Sequence, residues 1–264
     1  MKNKPENINH NPIIRTSWFR FYEELNDFLP QNVRKRSFPY NFTGTPSIKN
    51  TIEAIGVPHA EVDLILVDGK SVGFDFLIIG GEQVSVYPEF ETLDISPIIH
   101  LRPKPLRITK FVVDVNLGKL ALKLRLLGFD TLFRNDLEDD EIVKLSVNEK
   151  RIILTRDLGV LKHNDVTHGY WLRNSDPKKQ LHEIVERLQL QNSFNPFTRC
   201  SNCNGSLDSV AENEIEMILP EDTRNSFNQF WKCTGCGQIY WKGSHYDKIC
   251  EWIENLKNGN WTEA

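Results

Sequence analysis

The sequence predicts an α/β protein in three parts: a strand-rich N-terminal unit, a parallel-sheet α/β domain and a small zinc ribbon. Three observations carry this. Strand and helix patterns alternate through residues 108–192, the order that builds a parallel sheet with helical crossovers. Residues 14–95 show short strand patterns around one helix pattern. Two cysteine pairs then follow, Cys200-Ser201-Asn202-Cys203 and Cys233-Thr234-Gly235-Cys236, with 29 residues between them. Two such knuckles bring four thiolates to one tetrahedral structural Zn²⁺.

The first unit opens with a strand expected over Thr16–Tyr22. Ser47–Ile55 has apolar residues at helical spacing and is stopped by Gly56-Val57-Pro58. Strands are expected at Val62–Val67, Val72–Phe74 and Glu82–Tyr87, the last after a Gly80-Gly81 turn. Three prolines and no apolar pattern mark residues 96–107 as a linker, and residues 1–13 read as a disordered tail. In the second unit Phe111–Val113 is a buried strand, and Leu117–Leu127 a helix ended by Gly128. Strands at Thr131–Phe133, Arg151–Thr155 and Tyr170–Arg173 alternate with helices at Asp139–Asn148 and Asp176–Leu188. The acidic start of the Asp139 helix suits the helix dipole. The ribbon and a closing helix, Tyr246–Leu256, fill residues 196–264.

The chain has 264 residues, 39% hydrophobic and 26% charged, so about two globular domains with a substantial core are expected. No stretch approaches the roughly 20 apolar residues of a membrane span. The N-terminus has no apolar signal core, and four of five cysteines stand at zinc spacing, so a reducing cytoplasm is the expected location. Cys250 reads as an apolar residue of the last helix. The net charge of −4 argues against indiscriminate nucleic-acid binding, but residues 100–195 alone carry 17 Lys and Arg against 13 Asp and Glu. No nucleophile elbow, phosphate-binding glycine loop or dinucleotide fingerprint occurs.

The basic segment also holds an acidic constellation. In an open parallel sheet, ligands bind beyond the carboxyl ends of the strands. Asp114 follows one predicted strand and Asp157 another, while Asp139 and Asp140 begin the helix between them. Carboxylates brought together raise one another's pKa unless a hard cation relieves them, and oxygen ligands suit Mg²⁺ or Mn²⁺. The same residues would also serve as ordinary helix caps. Asn116 could orient a ligand or cap the next helix; Lys119, Arg125 and Arg156 could meet phosphates or be solvated.

The run Phe111-Val112-Val113-Asp114-Val115-Asn116-Leu117-Gly118-Lys119-Leu120-Ala121, then Leu124-Arg125-Leu126-Leu127-Gly128-Phe129-Asp130, resembles the Mut-seven C-terminal RNase family of PIN-like proteins. So do Asp139-Asp140-Glu141-Ile142, Arg151–Asp157, Asp176–Leu181, and the tail from Arg199 through both cysteine pairs to Tyr240-Trp241-Lys242-Gly243-Ser244-His245. The resemblance covers about residues 108–250. It implies a PIN-like α/β nuclease domain with an appended zinc ribbon, and Mg²⁺- or Mn²⁺-dependent cleavage of RNA. Asp114 and Asp157 match PIN-type metal ligands. Asp139 or Asp140 matches the middle acid, with the spacing to Ile142 favouring Asp139. A fourth acid has no clear counterpart; Asp165, Asn174 and Asp176 are candidates. Asn116, Lys119, Arg125 and Arg156 are the substrate-binding candidates, and Cys200, Cys203, Cys233 and Cys236 the zinc ligands.

Residues 14–95 resemble the ubiquitin-like β-grasp domains often joined to this family, through Phe19–Leu25, Ser47-Ile48-Lys49, Val62–Gly69 and Val84–Pro88. Related sulfur carriers need a free Gly-Gly terminus. Gly80-Gly81 is internal, so a recognition or scaffolding module for a protein partner is expected instead. Trp231, Tyr240, Trp241 and Tyr246 could stack on unpaired bases or build the ribbon's small core. Two functions compete: a metal-dependent ribonuclease acting on single-stranded RNA, and an inactive RNA- or protein-binding adaptor on the same scaffold.

Overall fold

The structure is a computed structural model describing residues 13–88, 109–219 and 221–259. The expected linker at 96–107 and most of the tail at 1–13 lie outside the described residues. The chain divides near residue 104 into two compact units, described in turn.

The first unit is a five-stranded mixed sheet with a helix, the β-grasp architecture. Strands β1 (Ile14–Phe21), β2 (Phe38–Thr43), β3 (Leu64–Val67), β4 (Lys70–Ser71) and β5 (Gln83–Tyr87) lie in the order β2-β1-β5-β3-β4. The central pair β1–β5 is parallel and the other pairs are antiparallel. Phe19, Phe21, Ile65, Val84 and Val86 bury one sheet face against Ile48 and Ile52 of helix α1 (Ile48–Ile55). The sequence pattern missed β2 because Pro39 and Asn41 interrupt it. Its edge position explains why proline is tolerated there. The strand expected at Val72–Phe74 is a correction. After a last bond from Val72 N to the Ile65 carbonyl of β3 (3.1 Å), the chain turns so that the Phe74 and Phe76 carbonyls accept the first amides of α1, Lys49 N at 3.3 Å and Ile48 N at 2.7 Å.

Gly80 and Gly81 form a turn, with φ of +102° and +100° that L-residues rarely adopt. The Glu82 carboxylate fastens it, accepting from Ile79 N (2.7 Å), Gly80 N (2.9 Å) and the Ser17 hydroxyl (2.5 Å).

The second unit is built on a four-stranded, fully parallel sheet in the order β7-β6-β8-β9. Its strands are β6 (Lys110–Val113), β7 (Asp130–Leu132), β8 (Ile152–Thr155) and β9 (Gly169–Trp171). Helices α2 (Gly118–Leu126) and α5 (Pro177–Arg187) pack together on one face, where Phe111, Val113 and Leu154 meet Leu120, Leu124, Leu181 and Ile184. Helices α3 (Asp139–Glu149) and α4 (Leu158–Leu161) pack together as well, α3 against β6 and β8.

The ribbon is a three-stranded antiparallel sheet, β10 (Leu207–Val210), β11 (Phe230–Cys233) and β12 (Ile239–Trp241), with short helices α6 (Glu212–Ile215) and α7 (Glu221–Ser226) between β10 and β11. Ile215, Phe230 and Ile239 form its small core. The closing helix α8 (Tyr246–Lys257) leaves the ribbon and returns Ile249, Trp252, Ile253 and Leu256 to the α/β core, with Lys123 Nζ 5.0 Å above the Trp252 ring.

Candidate functional site

The connections of the parallel sheet locate its ligand crevice. From β6 the chain crosses through α2 to β7 on one side. From β8 it crosses through α4 to β9 on the other. The carboxyl ends of neighbouring β6 and β8 are therefore the topological switch point. Asp114 directly follows β6 and is 8% exposed; Asp157 stands two residues beyond the end of β8. Thr155, fully buried between them, was not singled out by the sequence. Its hydroxyl donates to Asp114 Oδ2 at 2.7 Å and accepts the Asp157 amide at 2.8 Å. That hydroxyl couples the two acids' positions, and only strand register could have signalled it.

Asp139 and Asp140 lie exposed in the first turn of α3. The Asp139 carboxyl is pushed above the ordinary carboxylate range, first by burial and then by the negative charges of Asp157, Asp114, Glu138 and Asp140. The three acids thus share an electrostatic neighbourhood. They are not packed as tightly as the cysteines, the one described group of three or more His, Cys, Asp or Glu whose ligand atoms all lie within 4.8 Å. Asp157 also caps α4, its Oδ1 accepting Gly159 N at 2.7 Å. Asp114 makes no such cap bond, and neither does Leu117, which begins α2 where Asn116 was considered as a cap.

Of the substrate-binding candidates, Asn116 and Lys119 are exposed beside the start of α2 and line a common cleft. Arg156 is exposed, and its carbonyl accepts the Trp171 indole N–H at 3.2 Å. Arg125 requires a correction. It is 4% exposed, and its guanidinium is spent on main-chain carbonyls: Nε on Thr131 O (2.9 Å), Nη1 on Asn202 O (2.7 Å) and Ser201 O (3.1 Å). It fastens the first cysteine knuckle to the sheet, where the planar fork of arginine suits several carbonyls at once. Among the fourth-acid candidates, Asp176 caps α5 through Lys178 N and Lys179 N, and Asn174 donates to Glu183. Asp165 is an exposed loop residue 3.8 Å from His163 Nδ1.

The four cysteines meet as their spacing predicts. Cys200 and Cys236 Sγ are 3.6 Å apart, and Cys203 and Cys233 Sγ 3.3 Å. Tetrahedral bonds of about 2.3 Å would place sulfurs about 3.8 Å apart, so the donor set fits Zn²⁺ after a small expansion. Backbone amides point at the sulfurs as knuckles require: Cys203 N at Cys200 Sγ (3.5 Å), and Gly235 N and Cys236 N at Cys233 Sγ (3.3 and 3.4 Å). Burial opposes ionisation of Cys200, but hydrogen bonds led by the Tyr240 hydroxyl (3.1 Å) bring its pKa down to about 6. Cys203 is pushed up to about 12, first by burial and then by hydrogen bonds with the neighbouring cysteine sulfurs; a bound cation favours the thiolates instead. Tyr240 therefore supports the sulfurs. Trp241, 36% exposed, and Trp231 under Lys242 remain at the surface.

The family model described as Mut7-C RNAse domain matches residues 109–253, and the one described as Mut7-C ubiquitin matches residues 14–94. Searches of curated proteins and of solved structures found no match.

Proposed function

The chain belongs to the Mut7-C RNase family, and we propose that it is a divalent-metal-dependent ribonuclease acting on single-stranded RNA. The observation that carries the site assignment is the placement of Asp114 and Asp157 at the switch point with Asp139 electrostatically coupled to both. These three carboxylates are the proposed ligands of Mg²⁺ or Mn²⁺, with Asp140 beside Asp139 in the first turn of α3. Such an ion supplies hydroxide near neutral pH and neutralises charge at phosphorus. Thr155 holds Asp114 and the Asp157 backbone in register. Asn116, Lys119 and Arg156 bind and orient the strand, since positioning contributes much of the acceleration in phosphoryl transfer.

Four thiolate ligands close the zinc site, so its proposed role is structural. The β-grasp unit is proposed as a protein-interaction module: its Gly-Gly pair is locked internally by Glu82, which no carrier terminus could be. None of the five cysteines is in a disulfide and four gather as a metal donor set, which suits a reducing cytoplasm. No helix among the described residues is long and apolar enough to cross a membrane.

The deciding experiment incubates the purified chain with end-labelled single-stranded RNA and Mn²⁺. Cleavage that disappears in Asp157→Asn, with zinc content and thermal unfolding retained, supports the enzyme. RNA binding with no cleavage under Mg²⁺ or Mn²⁺ favours the adaptor, a reading for which the Asp157 cap bond provides the structural motive.

A further inference from the structure

The carboxyl edge of the sheet also carries a cleft of about 760 Å³, beginning one residue after Asp114. Its walls come from the start of α2, the loop after β7, the start of α5 and the first cysteine knuckle. That size lies within the roughly 300–1,000 Å³ of sites that enclose a small organic molecule.

The chemistry of the walls is selective. No carboxylate lines the cleft among the described residues. The Arg125 guanidinium is consumed by carbonyls, so Lys119 at the rim is the cation with a head free to meet a ligand. The polar groups are otherwise neutral, led by the carboxamides of Asn116, Asn135, Gln180 and Asn202, and the Phe133 ring provides an apolar wall. A phosphate would call for several cations. Carboxamides beside a ring suit a flat, uncharged heterocycle with donors and acceptors on its edge.

Gln180 sharpens the assignment. It is 3% exposed, and its amide faces the Asn174 carbonyl at 2.9 Å, so the atom there must be the Nε2 donor. Oε1 is left without a hydrogen-bond partner among the described residues, yet the side chain lines the cleft. Gln180 Oε1 is not among the buried side-chain atoms left without a partner, so it is reached from the cleft, where an incoming donor can take the place of water. Adenine, cytosine and guanine each present an exocyclic amino group as that donor; uracil has none.

We propose that the cleft is a subsite for one unpaired nucleobase bearing an exocyclic amino group, held against Phe133 and read by Gln180 and Asn135, with Lys119 meeting the adjoining phosphate. The identity of the ligand as RNA rests on the ribonuclease reading; the preference for an amino-bearing base rests on the cleft itself.

The test uses the zinc-loaded full chain without added Mg²⁺ or Mn²⁺ and two fluorescein-labelled RNA octamers, one all uridine and one with a single central adenosine, followed by fluorescence anisotropy. The adenosine octamer is expected to bind about tenfold more tightly. Asn135→Ala, at an exposed position, is expected to remove most of that gain with Tm preserved, and Gln180→Met, of similar volume, to remove it with a modest fall in Tm from the lost bond to the Asn174 carbonyl. Equal affinity for the two octamers, or a gain that survives both substitutions, overturns the proposal. Cleavage under Mn²⁺, scored on the same proteins, separates the two readings. Discrimination without cleavage leaves the subsite standing and sinks the nuclease; cleavage without discrimination does the reverse.

Discussion

Asn204 Nδ2 donates to Asp130 Oδ1 at 2.7 Å, joining the first cysteine knuckle to the edge strand of the parallel sheet. The same side chain accepts the Thr131 amide at 2.9 Å, so it completes an edge that would otherwise present an open backbone donor. Asn204 reaches this position with φ of +72°, which asparagine tolerates better than most residues. Together with Arg125, it ties the first cysteine knuckle to the edge of the α/β sheet.

Asn204→Ala should therefore destabilise the α/β domain by about 1–3 kcal/mol, because it strips a charge-assisted bond and orphans Thr131 N. Denaturant unfolding followed by α/β tryptophan or far-ultraviolet signal measures this. A loss confined to zinc affinity, with the sheet's stability unchanged, would refute the coupling.

The pH dependence has a defined sign. Burial would raise the Asp130 pKa, but hydrogen bonds from Arg151 (2.7 Å) and Asn204, with the charges of Arg151 and Arg199, hold it below the ordinary carboxylate range. A depressed folded-state pKa contributes stability that is present above the unfolded value, about 3.9, and is lost as pH falls through the folded value. The stability gap between wild type and Asp130→Asn should be constant near neutrality and narrow below about pH 4. A gap that widens on acidification would contradict the assignment.

Zinc removal should reach further than the ribbon. Arg125 holds the Ser201 and Asn202 carbonyls of the knuckle. Stripping the metal with a strong chelator, or Cys233→Ser, should thus lower the Tm of the α/β domain as well. Arg125→Lys, which cannot span those carbonyls, should speed zinc release to a chromogenic chelator several-fold. Unfolding of the ribbon alone, with an unchanged α/β transition, would show the two to be independent.

The tight turn after α2 gives a sharper test. Gly128 has φ of +93°, and a Cβ there would collide with the Asn195 carbonyl, on the segment whose amide bonds Leu127 O at 2.9 Å. Gly128→Ala should cost more than about 2 kcal/mol, exceeding the usual penalty of a strained backbone alone. Wild-type stability would disprove this packing.

What the sequence made legible follows the range of the forces involved. Strands β6 and β8 and helices α2, α3, α5 and α8 announce themselves through unbroken apolar spacing ended by local breakers such as Gly128. Asp114, Asp139 and Asp157 could be marked because strand and helix ends are local features. Arg125, read from sequence as either meeting phosphates or solvated, does neither, because two of its partners are carbonyls 76 and 77 residues away. Strand β2 hid behind Pro39, and its place at the sheet edge is a tertiary fact. The nucleobase cleft draws on four separated segments, and the unpaired Gln180 Oε1 exists only once Asn174 has taken the other end of the amide.

The acidic site should show a conflict between stability and function at Asp139. Its raised pKa means that the fold resists the ionised carboxylate, first through burial and then through Asp157 and Asp114. For such a group protonation favours the folded state, so its destabilising contribution is relieved as pH falls through the raised value. Asp139→Asn removes the charge at every pH. It should leave the Tm of the zinc-loaded chain without added Mn²⁺ unchanged or higher while abolishing Mn²⁺-dependent cleavage and the rise in Tm that Mn²⁺ produces in the wild type. Wild-type cleavage should weaken on acidification above the ordinary carboxylate range, because the protonated ligand surrenders its cation. If Asp139→Asn instead lowers the Tm of the zinc-loaded chain by several degrees and Mn²⁺ still stabilises it, Asp139 is a structural residue and the cation lies elsewhere.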